Sequence, residues 1–195
     1  MSIFRTCITL ALSISLISLS GCDAIEKSVE KYEKVQTKYT STITRVIDGD
    51  TIAVEPTETL PQTNKDKKNP EHVIRLIGIN APEMNVRKKE PAECGAKEAT
   101  EFLGKNLPKG TEVNLEFDDN SEHTDKYGRS LAYVSSSLIA DHAQNMIEHG
   151  LAVPYYPQSA PKPKNFDNYQ ELADKARQYD LGNYASCPDF GKDKK

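Results

Sequence analysis

Arg75 stands inside an otherwise apolar run, Val73-Ile74-Arg75-Leu76-Ile77-Gly78-Ile79, and a carboxylate, Glu83, follows just past its end. A core strand does not ordinarily carry arginine, because guanidinium is always charged and almost never fully buried unpaired. Arg75 is therefore expected to project from a barrel face toward a fixed anion, and phosphate suits its planar fork. Glu83 is a candidate acid, base or metal ligand. Two further clusters carry chemistry. Asp48-Gly49 is a common hairpin turn, but turn chemistry does not require a second carboxylate at Asp50. With Asn80 and Glu83, Asp50 offers hard oxygen ligands for Ca²⁺ or Mg²⁺. In Thr124-Asp125-Lys126-Tyr127-Gly128-Arg129, the last residue would supply a second fork beside Arg75, useful where charge develops on a phosphate.

The elements that hold these residues read as short strands and a few helices. Ile43 to Ile47 and Thr51 to Glu55 form a hairpin around Asp48-Gly49-Asp50. Residues 56–70 contain three prolines and no apolar periodicity, so they form a loop. Val73 to Ile79 is one strand, ended by Pro82, and residues 84–93 are a cationic loop with Arg87, Lys88 and Lys89. Helical spacing marks Ala96 to Leu107, alternation marks Thr111 to Phe117 and Ser130 to Ser135, and further helices cover Ile139 to His149 and about Asn168 to Tyr179. The expected fold is α+β, a five-stranded OB-like barrel with about three packed helices.

The N-terminus reads as an export signal: Arg5, an apolar run from Ile8 to Leu19, then small residues before Cys22. Leu19-Ser20-Gly21-Cys22 resembles the lipoprotein cleavage box, which makes Cys22 a lipidated first residue. Plain cleavage near Gly21 and an uncleaved anchor are the alternatives. The chain divides into a signal (1–21), a polar tether (22–41), the folded domain (42–190) and a charged tail (191–195). The expected location is outside the cytoplasm, lipid-anchored on a periplasmic or cell-surface face. Loss of residues 1–21 removes one cation and no acid, so the formal charge moves from −4 to −5. A nucleic-acid partner must then be met by a local cationic site rather than a global field.

With Cys7 in the signal and Cys22 lipidated, Cys94 and Cys187 remain as a pair in an oxidising compartment and are expected to form a disulfide. His72, His123, His142 and His149 are scattered, without ligand spacing, and read as surface residues.

Three motifs in order, Ile47-Asp48-Gly49-Asp50-Thr51, Ile74-Arg75-Leu76 through Ala81-Pro82-Glu83, and Thr124-Asp125-Lys126-Tyr127-Gly128-Arg129-Ser130-Leu131-Ala132-Tyr133, resemble the staphylococcal nuclease family. The resemblance runs from residue 43 to about 186. It implies a Ca²⁺-dependent nuclease on an OB-fold, sugar-nonspecific, cutting DNA and RNA (single-stranded preferred) to 3′-phosphate ends, as a monomer. By position, Asp50 and the carbonyl of Ala81 become Ca²⁺ ligands, and Glu83 becomes the general base. Arg75 and Arg129 bind the scissile phosphate, Lys126 and Tyr127 contact a terminal phosphate, and Tyr155 or Tyr156 flanks the base. Asn80 stands where the family usually has aspartate, so weaker Ca²⁺ affinity or another ion is expected. The competing reading is a catalytically silent OB-fold lipoprotein that binds nucleic acid.

Overall fold

The structure, a computed structural model, describes residues 37–57, 60 and 71–192. The signal, Cys22, residues 22–36 of the tether, most of the 56–70 loop and residues 193–195 lie outside the described residues. Five strands close into a barrel in the order β1 (Lys38–Asp48), β2 (Thr51–Val54), β3 (His72–Leu76), β6 (Ser130–Ser136) and β5 (Glu112–Glu116). Neighbours are antiparallel except β3 and β6, which pair in parallel. This is the OB-type α+β barrel that the strand pattern implies. Strand β1 begins at Lys38, five residues before the expected Ile43, and it is long enough to pair with both β2 and β5. Register shifts between Ile43 and Arg45 and between Val46 and Asp48 bend it from one partner to the other.

The run expected as one strand, Val73 to Ile79, is broken. Strand β3 ends at Leu76, and after Ile77 and Gly78 the chain resumes as the two-residue β4 (Ile79–Asn80). Gly78 has φ +82, and a Cβ there would lie 3.0 Å from the Tyr169 ring, so both backbone and space call for glycine. The break turns β4 out of the barrel to pair with β7 (Val153–Pro154).

Helices cover the barrel. α1 (Ala96–Asn106) buries Ala96, Ala99 and Leu103, and Pro108 follows its end. α2 (His142–Glu148) begins three residues later than the apolar spacing suggests. The cause is Asp141, whose side chain accepts from the N–H groups of Ala143 and Gln144 and so caps the helix. α3 (Phe166–Gln178) buries Tyr169, Ala173 and Ala176, and a fourth, short helix, α4 (Asn183–Ser186), follows. The core joins Ile43, Ile52, Ile74 and Leu115 of the barrel to Leu103, Met146 and Tyr169 of the helices.

Two histidines correct the surface reading. His72 is 2% exposed and bonds Ser130 Oγ through Nε2 at 2.7 Å. His142 is 1% exposed, with Nε2 3.0 Å from Ser136 Oγ. Strand and helix faces buried them, which scattered positions in the sequence do not reveal. No helix among the described residues is long and apolar enough to cross a membrane.

Candidate active site

Asp50 is the last residue of the turn that joins β1 to β2, and both its backbone and its side chain bond beyond the hairpin. Its N–H donates to Asp48 Oδ1 at 3.2 Å, and its carbonyl accepts from Leu76 N–H at 2.8 Å. The buried carboxylate accepts from three donors: Arg75 Nη1 at 2.7 Å, Ala81 N–H at 2.6 Å and the Thr51 hydroxyl at 3.0 Å. Arg75, in register with Thr51 on one side and Leu131 on the other, also donates through Nη2 to Asn80 Oδ1 at 3.0 Å. Asp50, Arg75, Asn80 and Ala81 therefore meet in one buried cluster. The anion facing Arg75 in this form is the Asp50 carboxylate. Ala81 meets the cluster through its N–H.

Burial pushes the Asp50 carboxyl up, to about 7; Arg75 pulls it back in part and nearby Asp48 pushes it further. Two acids share this corner with one guanidinium, so the pocket carries an excess of negative charge, which an added cation would offset. Among the described residues no three His, Cys, Asp or Glu side chains gather as a metal cluster. A cation here would draw on a mixed oxygen set: Asp50, the Asn80 amide oxygen, a main-chain carbonyl near Ala81, and water. Such a set suits Ca²⁺ or Mg²⁺, and the donor chemistry of the pocket fits a hard divalent ion.

Glu83, exposed just past Pro82, is held by its backbone. Its N–H donates to Glu93 Oε2 at 3.1 Å, and its carbonyl accepts from Glu93 N–H at 2.9 Å. These two bonds close the base of the cationic loop, in which Val86–Lys88 forms a single 3₁₀ turn between Asn85 and Lys89 at φ 54 and 56. Directly after Glu93, Cys94 is bonded to Cys187, as the cysteine count implies.

Arg129 comes directly before β6, two residues ahead of the Leu131 that pairs with Arg75. Asp125 aims it: Oδ2 accepts from Arg129 Nε at 2.7 Å, and Oδ1 accepts from the N–H groups of Tyr127 and Arg129 at 2.8 and 3.0 Å. The Tyr127 ring is 70% exposed, with the Arg129 guanidinium 5.5 Å and Lys126 Nζ 5.0 Å from its centroid. Of the two candidate tyrosines, Tyr155 is 50% exposed, and its N–H donates to Gly78 carbonyl, beside β4. Tyr156 packs edge-on against Phe166 at 4.7 Å.

Residues 73–184 match the family described as staphylococcal nuclease homologue. The chain belongs to that family. Arg75, Asn80, Ala81, Glu83, Lys126, Tyr127, Arg129, Tyr155 and Tyr156 lie within the matched residues of this staphylococcal nuclease homologue, and Asp50 lies before them. It is 35% identical over 138 residues to a thermonuclease of Staphylococcus intermedius, across 69% of this chain and 67% of that protein. A thermonuclease of Staphylococcus hyicus is 38% identical over 92 residues, covering 47% of this chain and 46% of that one. An uncharacterised Bacillus anthracis protein is 34% identical over 112 residues, covering 57% and 44%.

Four residues that were not candidates for the site bond its members: Asp48 and Thr51 bond Asp50, Glu93 bonds Glu83, and Asp125 bonds Arg129. Asp125 was the most legible, since a carboxylate four residues before Arg129 in a turn sequence is placed to bond it. Glu93 carried no local signal.

Proposed function

We propose that this chain is a Ca²⁺-dependent, sugar-nonspecific nuclease that hydrolyses DNA and RNA, single strands preferentially, to 3′-phosphate ends. The observation that carries the reading is the buried Asp50–Arg75–Asn80 cluster, with the exposed Glu83 two residues past Ala81 and Arg129 directly before the strand that pairs with Arg75. Membership of the nuclease family supports it. A phosphodiester under attack gathers negative charge on its equatorial oxygens. The forks of Arg75 and Arg129 meet that charge more strongly in the transition state than in the ground state. Glu83 takes the proton from the attacking water as the new P–O bond forms, and the 5′ oxygen leaves with the bonding pair and takes a proton from solvent to become the 5′-hydroxyl. Asp50, Asn80 and the Ala81 carbonyl would hold the cation. When bound, the ion supplies Lewis-acid charge stabilisation at the phosphoryl oxygens. Lys126 and Tyr127 receive a terminal phosphate, and Tyr155 stacks on a base.

The substrate reaches the enzyme outside the cytoplasm. We place the chain as an exported monomer tethered through a lipid on Cys22, with the folded domain from residue 42 to 190.

A second reading has one observation in its favour: Arg75 closes onto Asp50 and Asn80, so the cluster is internally satisfied. A catalytically silent OB-fold would keep that closure. Incubating the protein with single-stranded DNA in Ca²⁺ and in chelator separates the two. Chelator-sensitive degradation is expected; binding without degradation in Ca²⁺ would select the silent module.

A further inference from the structure

A cavity of about 760 Å³ opens beside the proposed centre, and its lining includes Asn80, the residue that bonds Arg75. Such a volume is in the range that holds a nucleotide-sized ligand. Tyr155 lines it near Asn80, and the C-terminal segment lines it with Arg177, Cys187, Phe190 and Lys192. The last three lie beyond the residues matched to the family, 73–184.

The wall is built rather than trailing. The Cys94–Cys187 disulfide joins it to the residue next to Glu93. From there Phe190 N–H donates to the Cys187 carbonyl at 3.1 Å, and Lys192 N–H to the Asp189 carbonyl at 3.3 Å. The Phe190 ring packs edge-on to Tyr184 at 4.8 Å, and the Arg177 guanidinium sits 5.3 Å from the same Tyr184 ring. Arg177 and Lys192 each have an acidic neighbour three residues away, Asp174 and Asp189, in pairs where every side chain is at least half exposed. Exposed pairs of this kind are weak, so a phosphate can replace the carboxylate at little cost. Aromatic faces interleaved with cations in one groove are what a single strand of nucleic acid requires, since every base has a stackable face and every linkage a negative charge.

We propose that this cavity is a subsite of a single-stranded polynucleotide for the nucleotide one step beyond the one that Tyr155 stacks. Its base lies against Phe190, and its outer phosphate rests on Arg177 and Lys192. The assignment rests on the nuclease reading for the base on Tyr155; the binding surface itself does not.

The test is fluorescence anisotropy of a labelled single-stranded hexathymidylate, titrated with the full chain in chelator, so that cleavage does not enter. Lys192→Gln is expected to lower the slope of log affinity against log salt by about 0.7, the share of one phosphate contact on a single strand. Phe190→Ala is expected to weaken the hexamer at least about fivefold, and neither variant should alter the affinity of a mononucleoside bisphosphate. Lys97→Gln, on the exposed side of α1, is the control and should leave the slope unchanged. Unchanged hexamer affinity and slope in both wall variants, or an equal loss for the mononucleotide, would overturn the subsite. Should Phe190→Ala fail to fold, the exposed Lys192→Gln decides alone. Wild-type protein that binds as described but never cleaves in Ca²⁺ would overturn the nuclease reading and leave the subsite standing.

Discussion

Arg75 Nη1 lies 2.7 Å from Asp50 Oδ2, and the two side chains are only 9% and 3% exposed. Breaking a buried pair from one side is costly because the remaining charge is stranded in a low-dielectric site. Asp50→Ala is expected to cost about 3 to 5 kcal/mol, read from urea unfolding. Arg75→Lys keeps a charge but loses the fork that spans Asp50 and Asn80. Turnover should fall roughly 10²- to 10³-fold, with a smaller loss of stability than Asp50→Ala. Near-wild-type turnover would mean that bidentate geometry is not used.

The same corner predicts a response to Ca²⁺ that needs no substrate. An ion bound to the native state alone stabilises it by about 2.7 kcal/mol at a hundredfold excess over Kd. Ca²⁺ should raise the urea midpoint of the wild type, and Asp50→Ala should abolish the rise. Asn80 brings an amide oxygen where a carboxylate would bring charge, so Asn80→Asp should produce the same rise at lower Ca²⁺. A midpoint already saturated at trace metal in the wild type would contradict this.

Asp125 binds Arg129 through both of its oxygens, one to the guanidinium and one to the main chain. The pair is partly exposed, so its loss should change stability by no more than about 1 kcal/mol. Position matters more than strength here: a reacting group displaced by an ångström can lose about 10²-fold in rate. Asp125→Ala is therefore expected to lower kcat strongly while leaving the urea midpoint close to wild type. Equal losses of stability and rate would assign Asp125 a purely structural role.

Local chemistry made much of the scaffold legible. The Asp48-Gly49-Asp50 turn lies between β-rich runs, and Ala99 and Leu103 share one face of α1, so the hairpin and that helix follow from neighbouring residues. Long-range contacts decided the rest. Gly78 breaks the apolar run where Tyr169, far along the chain, packs against it. Strand β7 is two residues long and includes Pro154, so nothing local marks it, and it exists because β4 supplies the partner. At the site, the residue types at Asp50, Arg75 and Glu83 were readable. Glu93 was not, because its bonds to Glu83 form only when the loop closes.

His142 gives the fold an acid-sensitive element. Burial pushes its imidazole down to about 4, and among the described residues its Nδ1 has no hydrogen-bond partner. The unfolded chain protonates this ring near 6.5, whereas the native state does not until about 4. The unfolded state thus binds the extra proton between these values, and stability falls as pH drops through that window. The loss should approach about 3 kcal/mol by pH 4. In His142→Asn the part of the pH dependence due to this ring disappears, so the difference in urea midpoint between wild type and variant should narrow from pH 7 to pH 4. A constant difference would show that the ring does not titrate with unfolding.

The Cys94–Cys187 bond closes a loop with a sequence separation of 93 residues, between the base of the cationic loop and the C-terminal wall. In the chain-entropy account a closure of that length stabilises by roughly 4 to 5 kcal/mol, mostly by restricting the unfolded chain. Cys187 is 5% exposed while Cys94 is exposed, so the two ends are not equivalent sites for substitution. Serine at 187 would also bury a hydroxyl, which adds a separate penalty. Cys94→Ser is the cleaner probe. Its urea midpoint should fall well below that of the oxidised wild type, and adding dithiothreitol should bring the wild type down to the variant while leaving the variant unmoved. If reductant lowers both equally, some other thiol chemistry is responsible and the bond contributes little to the fold.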